Sequence, residues 1–159
     1  HPLEYYKLSR FDWTGKIVSV KFKNILVSGV EKLNIKDEFN FGKGFYNEFG
    51  IDTPVGFSET KTGDWFHKIG VGLLKKEAPE YSFATNYEIQ PAEFKATTFP
   101  NKITIHCKSQ SINDYSYDLV KEIELLESSF EIHYYLKNTG GRGIVTNEYT
   151  HNFLAINKE

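Results

Sequence analysis

The run Phe130-Glu-Ile-His-Tyr-Tyr-Leu-Lys137, followed by Asn138-Thr-Gly-Gly-Arg-Gly143 and then by Ile144–Phe153, decides how this chain is read. Phe130, Ile132, Tyr134 and Leu136 alternate with Glu131, His133, Tyr135 and Lys137, the period-two pattern of a half-buried strand. The second run sets Tyr149, His151 and Phe153 on one face. With a glycine-rich loop between them, the two runs predict a β-hairpin. Two readings of His151 are open: a proton donor in a sugar pocket, or a histidine packed into an aromatic face.

Working back towards the N-terminus, Tyr87–Gln90, Phe94–Thr98, Ile103–Ser109 and Tyr115–Leu126 also read as strands. Pro100-Asn101 and Asn113-Asp114 supply turns between them. In the last of these runs Tyr115, Tyr117, Leu119, Ile123 and Leu125 share a face that Lys121 interrupts. Ile17–Phe22 alternates as well, with Val18, Val20 and Phe22 facing one way, and Leu26–Ser28 continues it after a turn at Asn24. Gly29–Lys61, rich in Gly, Asn, Asp and Pro, reads as long loops with short strands, a stretch long enough to line a functional face. Strands in sequence order with short turns predict a mainly β chain, an antiparallel β-sandwich or barrel. No repeat or domain boundary interrupts residues 1–159, which read as a single β-sandwich domain or the N-terminal part of one.

Hydrophobic residues make up 40% and charged residues 25% of the 159, enough for one domain with a core. The aromatic share of 16% suits strands, and it suits sugar pockets too. A net charge of −2 offers no general attraction to phosphate backbones, so nucleic acid is not an expected partner. No run reaches the roughly 18 apolar residues of a membrane span. Cys107 stands alone on the apolar side of its strand, which predicts a small core residue and fits the cytoplasm best. The start at His1 without Met, and a pattern that still looks structured at Ile144–Asn157, predict a fragment of a longer protein.

Phosphate-loop, dinucleotide and nucleophile-elbow motifs are absent, and His1, His67, His106, His133 and His151 lack zinc-motif spacing. No metal or cofactor is expected. His106 and His133 belong to polar strand faces, and Lys75-Lys76 reads as a solvated pair. Arg10 can donate paired hydrogen bonds to sugar hydroxyls while Trp13 packs on a sugar face. The alternative puts Arg10 and Asp12 on a surface turn and Trp13 in the core. Glu48, in Tyr46-Asn-Glu-Phe49, reads either as a carboxylate entering a cleft or as one capping loop amides.

Four segments together resemble the galactose mutarotase-like (aldose 1-epimerase) proteins. They are Ser9-Arg-Phe-Asp-Trp-Thr-Gly15, Gly44-Phe-Tyr-Asn-Glu-Phe-Gly50, Trp65-Phe-His-Lys-Ile-Gly-Val-Gly-Leu-Leu74, and Leu136–Gly140 with Thr146–Asn157. The resemblance implies a large antiparallel supersandwich, incomplete here, whose open face binds a monosaccharide or oligosaccharide. It implies that His151 protonates the ring oxygen, and it offers His67 as a substrate-binding histidine, although Lys68-Ile69-Gly70 stands where that loop usually carries Gly-Gly and a packed or solvent-facing His67 is the alternative; Arg10, Trp13 and Asn152 complete the expected substrate contacts. The family's glutamate base lies in a C-terminal half beyond this chain. Thr150 before His151 and Asn152-Phe153-Leu154 after it depart from the pattern of the better-known enzymes, which leaves the sugar open. A carbohydrate-binding protein without turnover is the second expectation. A third is an interaction domain that self-associates through exposed sheet edges.

Overall fold

A computed structural model describes residues 6–32 and 41–155. His1, part of the Gly29–Lys61 stretch and the last residues of the Ile144–Asn157 pattern lie outside them. Among the described residues the chain is all β, with antiparallel pairing throughout and no helix.

The meander forms as the alternation predicts. β7 (Glu93–Thr98), β8 (Lys102–Lys108), β9 (Tyr117–Leu125) and β10 (Phe130–Asn138) make one four-stranded sheet in the order β10-β9-β8-β7. Phe99 N–H donates to the Lys102 carbonyl (2.7 Å) to close the turn at Pro100-Asn101. Asn113 and Asp114 close the turn before β9 with φ of 52° and 65°. Short polar side chains tolerate that left-handed backbone better than most residues. Cys107 is 1% exposed, on the inner face as expected.

The predicted hairpin does not form. β10 pairs with β9 along its whole length, from Phe130 opposite Leu125 to Asn138 opposite Tyr117. β11 (Glu148–Asn152) pairs instead with β3 (Phe45–Phe49), placing Tyr149 opposite Glu48 and His151 opposite Tyr46. The glycine-rich loop explains the detour. Thr139 and Gly140 N–H groups donate to the Ser116 carbonyl (3.0 and 3.2 Å), and Arg142 N–H donates to Asp114 O (3.1 Å). These bonds fasten the loop to the turn before β9 and send the chain to another layer.

The N-terminal reading needs a smaller correction. β1 (Lys21–Phe22) and β2 (Ile25–Leu26) are a two-residue hairpin whose turn, Lys23-Asn24, has φ of 47° and 66°. Positive φ at both positions suits the right-handed twist of paired strands. Phe22 is 48% exposed, so the Ile17–Phe22 alternation does not seat it in the core.

A three-stranded sheet completes the set: β4 (Trp65–Lys68), β5 (Gly72–Lys75) and β6 (Ile89–Pro91). β3 and β4 are buried on both faces and lie between two apolar clusters. On one side are Phe11, Trp13, Tyr46, Phe57, Phe66 and Leu74. On the other are Phe49, Ile69, Cys107, Tyr115, Tyr117 and Leu119. Phe45 meets Phe130 edge-on (5.3 Å) and Phe49 meets Tyr134 (5.7 Å), so the β3–β11 pair stacks on the inner face of the four-stranded sheet. The layering is sandwich-like and not closed into a barrel.

Candidate functional site: a buried carboxylate holding His151

Glu48 is the centre of the site. Strand alternation turns Tyr46 and Glu48 to one face of β3 and Phe45, Asn47 and Phe49 to the other. Because both faces of β3 are covered, Glu48 is fully buried. The loop reading of this residue is therefore corrected: it is a strand residue inside the protein. A carboxylate there requires charged partners, since an unpaired buried charge is strongly disfavoured.

Three cationic or proton-bearing groups supply them. His151 Nε2 lies 3.1 Å from Glu48 Oε2, which the β3–β11 register brings about by setting the two residues diagonally on one face. Arg10 Nε donates to the same oxygen (3.3 Å). Lys68 Nζ stands 3.6 Å from Oε1 and donates to Tyr81 Oη (2.8 Å) and the Gly50 carbonyl (3.3 Å). Arg10 also pairs with Glu31 through Nη1 (3.1 Å) and Nη2 (3.3 Å). Its approach is fixed by backbone bonds on either side. Asp12 N–H donates to Asn47 O (3.0 Å) and Trp13 N–H to Gly70 O (2.8 Å), laying the segment along β3 and the turn after β4.

The electrostatics follow from these contacts. Burial pushes the Glu48 carboxyl up, but the His151 hydrogen bond and the Lys68 and Arg10 charges outweigh it and leave its pKa lowered. Burial pushes Lys68 down to about 8 against the pull of Glu48. An ionised Glu48 accepts a proton-bearing Nε2 from His151, which fixes the ring's orientation and tautomer. Nδ1 has no hydrogen-bond partner among the described residues and is the nitrogen left for other chemistry.

Aromatic rings enclose the imidazole. Phe11 meets it edge-on at 5.2 Å, Phe153 stacks at 5.8 Å and Tyr149 lies at 4.4 Å. The shared face of Tyr149, His151 and Phe153 is thus as the alternation predicts. His151 is 7% exposed, whereas Tyr149 is 54% exposed and Phe83, under the Arg10 guanidinium, 39%.

The other expected substrate contacts are placed elsewhere or otherwise engaged. Arg10 joins the His151 centre but is buried and directed at carboxylates. Trp13 is 4% exposed, packs near Phe94 and donates its indole N–H to the Leu8 carbonyl (2.8 Å). His67 follows from the alternation of β4: Lys68 faces Glu48, so His67 faces the opposite cluster, near the rings of Tyr115 and Tyr117. Burial lowers its pKa. Asn152 is exposed on the side of β11 opposite His151.

Charge pairs that the pattern missed include Lys68–Glu48 and Lys121–Asp12. Lys121 does not interrupt the inner face of β9; it lies on it, 1% exposed, with Nζ donating to Gly15 O (2.7 Å) and 4.0 Å from Asp12. Asp12 in turn accepts from Tyr134 Oη (2.9 Å). Lys76 is likewise buried, donating to Phe57 O (2.9 Å) and covering the Phe57 ring, so of the Lys75-Lys76 pair only Lys75 is a surface charge, bound to Glu88 (2.8 Å). The available signal was a lone charge within an aromatic run, twice over: Glu48 in Phe-Tyr-Asn-Glu-Phe and Lys68 in Trp-Phe-His-Lys-Ile. Among the described residues no group of three or more His, Cys, Asp or Glu side chains could hold a metal ion, and no helix is long and apolar enough to cross a membrane. The chain matches no protein-family model, and comparison with curated proteins and with solved structures finds no match either.

Proposed function

We propose that this chain carries the acid half of an aldose 1-epimerase-like site, on sheets that form part of a galactose mutarotase-like sandwich. The observation that carries the proposal is the 3.1 Å contact between His151 Nε2 and the buried Glu48 carboxylate. A histidine held in this way presents its other nitrogen, Nδ1, in one orientation. In the reaction, His151 Nδ1–H gives its proton to the ring oxygen of the sugar as the bond from that oxygen to the anomeric carbon breaks. A base removes the anomeric hydroxyl proton, and the open aldehyde closes again on either face. Glu48 is not that base, because it is fully buried and committed to cations.

The test is anomer exchange in a panel of aldoses, followed by magnetisation-transfer NMR with the complete protein. His151→Asn is expected to lower the exchange rate about a hundredfold or more, the scale of a lost general acid. An unchanged rate in that variant would remove His151 from the mechanism. The half-exposed Tyr149 ring beside His151 favours a second reading, a saccharide-binding protein without turnover. Saturable sugar binding with no acceleration of exchange would select it.

A further inference from the structure

Among the described residues β10 is an edge strand, bordered near Leu136 and Asn138 by residues 143–146. Its only hydrogen-bonded neighbour among the described residues is β9, and its nine consecutive pairs with β9 leave the other side of the strand unpaired. Natural edges are usually blunted by proline, bulges or short length. β10 has no proline, glycine or bulge, and Tyr135, Leu136, Lys137 and Asn138 are all exposed, Tyr135 by 56%.

The order of residues along this edge is self-complementary. Two copies of Phe130–Asn138 laid antiparallel with Tyr134 on the two-fold axis set Glu131 against Lys137, Ile132 against Leu136, and His133 against Tyr135. Each match occurs twice, as a symmetric interface requires. The outward charges agree further out. Within one sheet, Glu131 faces Glu124, a like-charged pair, and meets His133 Nε2 of its own strand (3.1 Å); the incoming Lys137 adds a full positive charge beside it. On the inner face, Leu136, 38% exposed, joins the row of Ile132, Ile123 and Ile103 from the other copy.

We infer that β10 is the interface with a second copy of this chain, joined edge to edge so that two four-stranded sheets become one of eight. The inference does not depend on the catalytic reading of His151. Sedimentation velocity on the purified full chain tests it. The wild type is expected to be a dimer. Lys137→Glu places Glu against Glu at both ends and is expected to weaken the dimer about tenfold or more, with Glu131→Lys/Lys137→Glu restoring it. Both side chains are exposed, so circular dichroism should show all variants folded. A monomeric wild type overturns the proposal, as does a dimer that Lys137→Glu leaves intact or that the double exchange fails to restore.

Discussion

Lys68 shows how a residue in an apolar run becomes chemistry. Its ammonium is 1% exposed, so desolvation works against the charged form and Glu48 only partly offsets it. The folded pKa of about 8 lies below the ordinary value of 10.5, so burying the charge costs stability in full below about pH 8. That cost is relieved as pH rises from about 8 towards 10.5, where the unfolded chain still holds the proton and the folded one has lost it. Wild-type stability relative to Lys68→Met is therefore expected to rise across this window in chemical denaturation. A flat difference would show that Lys68 keeps an ordinary pKa. Nothing in a one-letter reading exposes such a shift, because it arises from burial between two apolar clusters that only the β3–β4 packing creates, and the Glu48 carboxylate that partly offsets it is brought near by the same packing.

Elements were legible where the pairing is local. β7 to β10 follow each other through short turns, and their alternation, turns and buried Cys107 all agree with the pattern of apolar residues. The alternation of Tyr149, His151 and Phe153 was equally readable, but their partner was not. Period two fixes which face a side chain takes and says nothing of which strand lies beside it. Backbone bonds from the 139–142 loop to the turn before β9 decided that question. Gly140 is the sensitive point, since a Cβ there would lie 2.4 Å from the Asp114 carbonyl oxygen. Gly140→Ala is expected to destabilise the protein by about 1–3 kcal/mol, the usual scale of a forced backbone shift. Thermal unfolding checks it, and an unchanged midpoint would mean that the loop does not hold β11 in place.

At the scale of the whole molecule, the charges inside are as characteristic as the rings. Two apolar clusters flank β3 and β4, and ion pairs of Glu48 and Asp12 are embedded between and beside them. The sequence pattern foretold a mainly β, antiparallel protein. It did not reveal that Arg10 and Asp12 are interior, because charged residues in a short polar segment ordinarily mark a surface turn. Leu119, fully buried between β8 and β10, should cost about 2–5 kcal/mol when cut to Ala, whereas Val145→Ala, at a side chain 89% exposed, should cost less than about 0.5 kcal/mol. Equal effects in denaturant titrations would place the core elsewhere.

The most direct test of a Glu48-held acid is the long-range nitrogen–proton NMR spectrum of His151 as an aldose is added. Nε2 should carry the proton in the neutral ring, bound to Glu48, and the Nδ1 resonance should shift saturably with sugar while those of the exposed His106 and His133 stay fixed. A proton on Nδ1 in the neutral ring, or a His151 spectrum indifferent to every sugar tested, would contradict it.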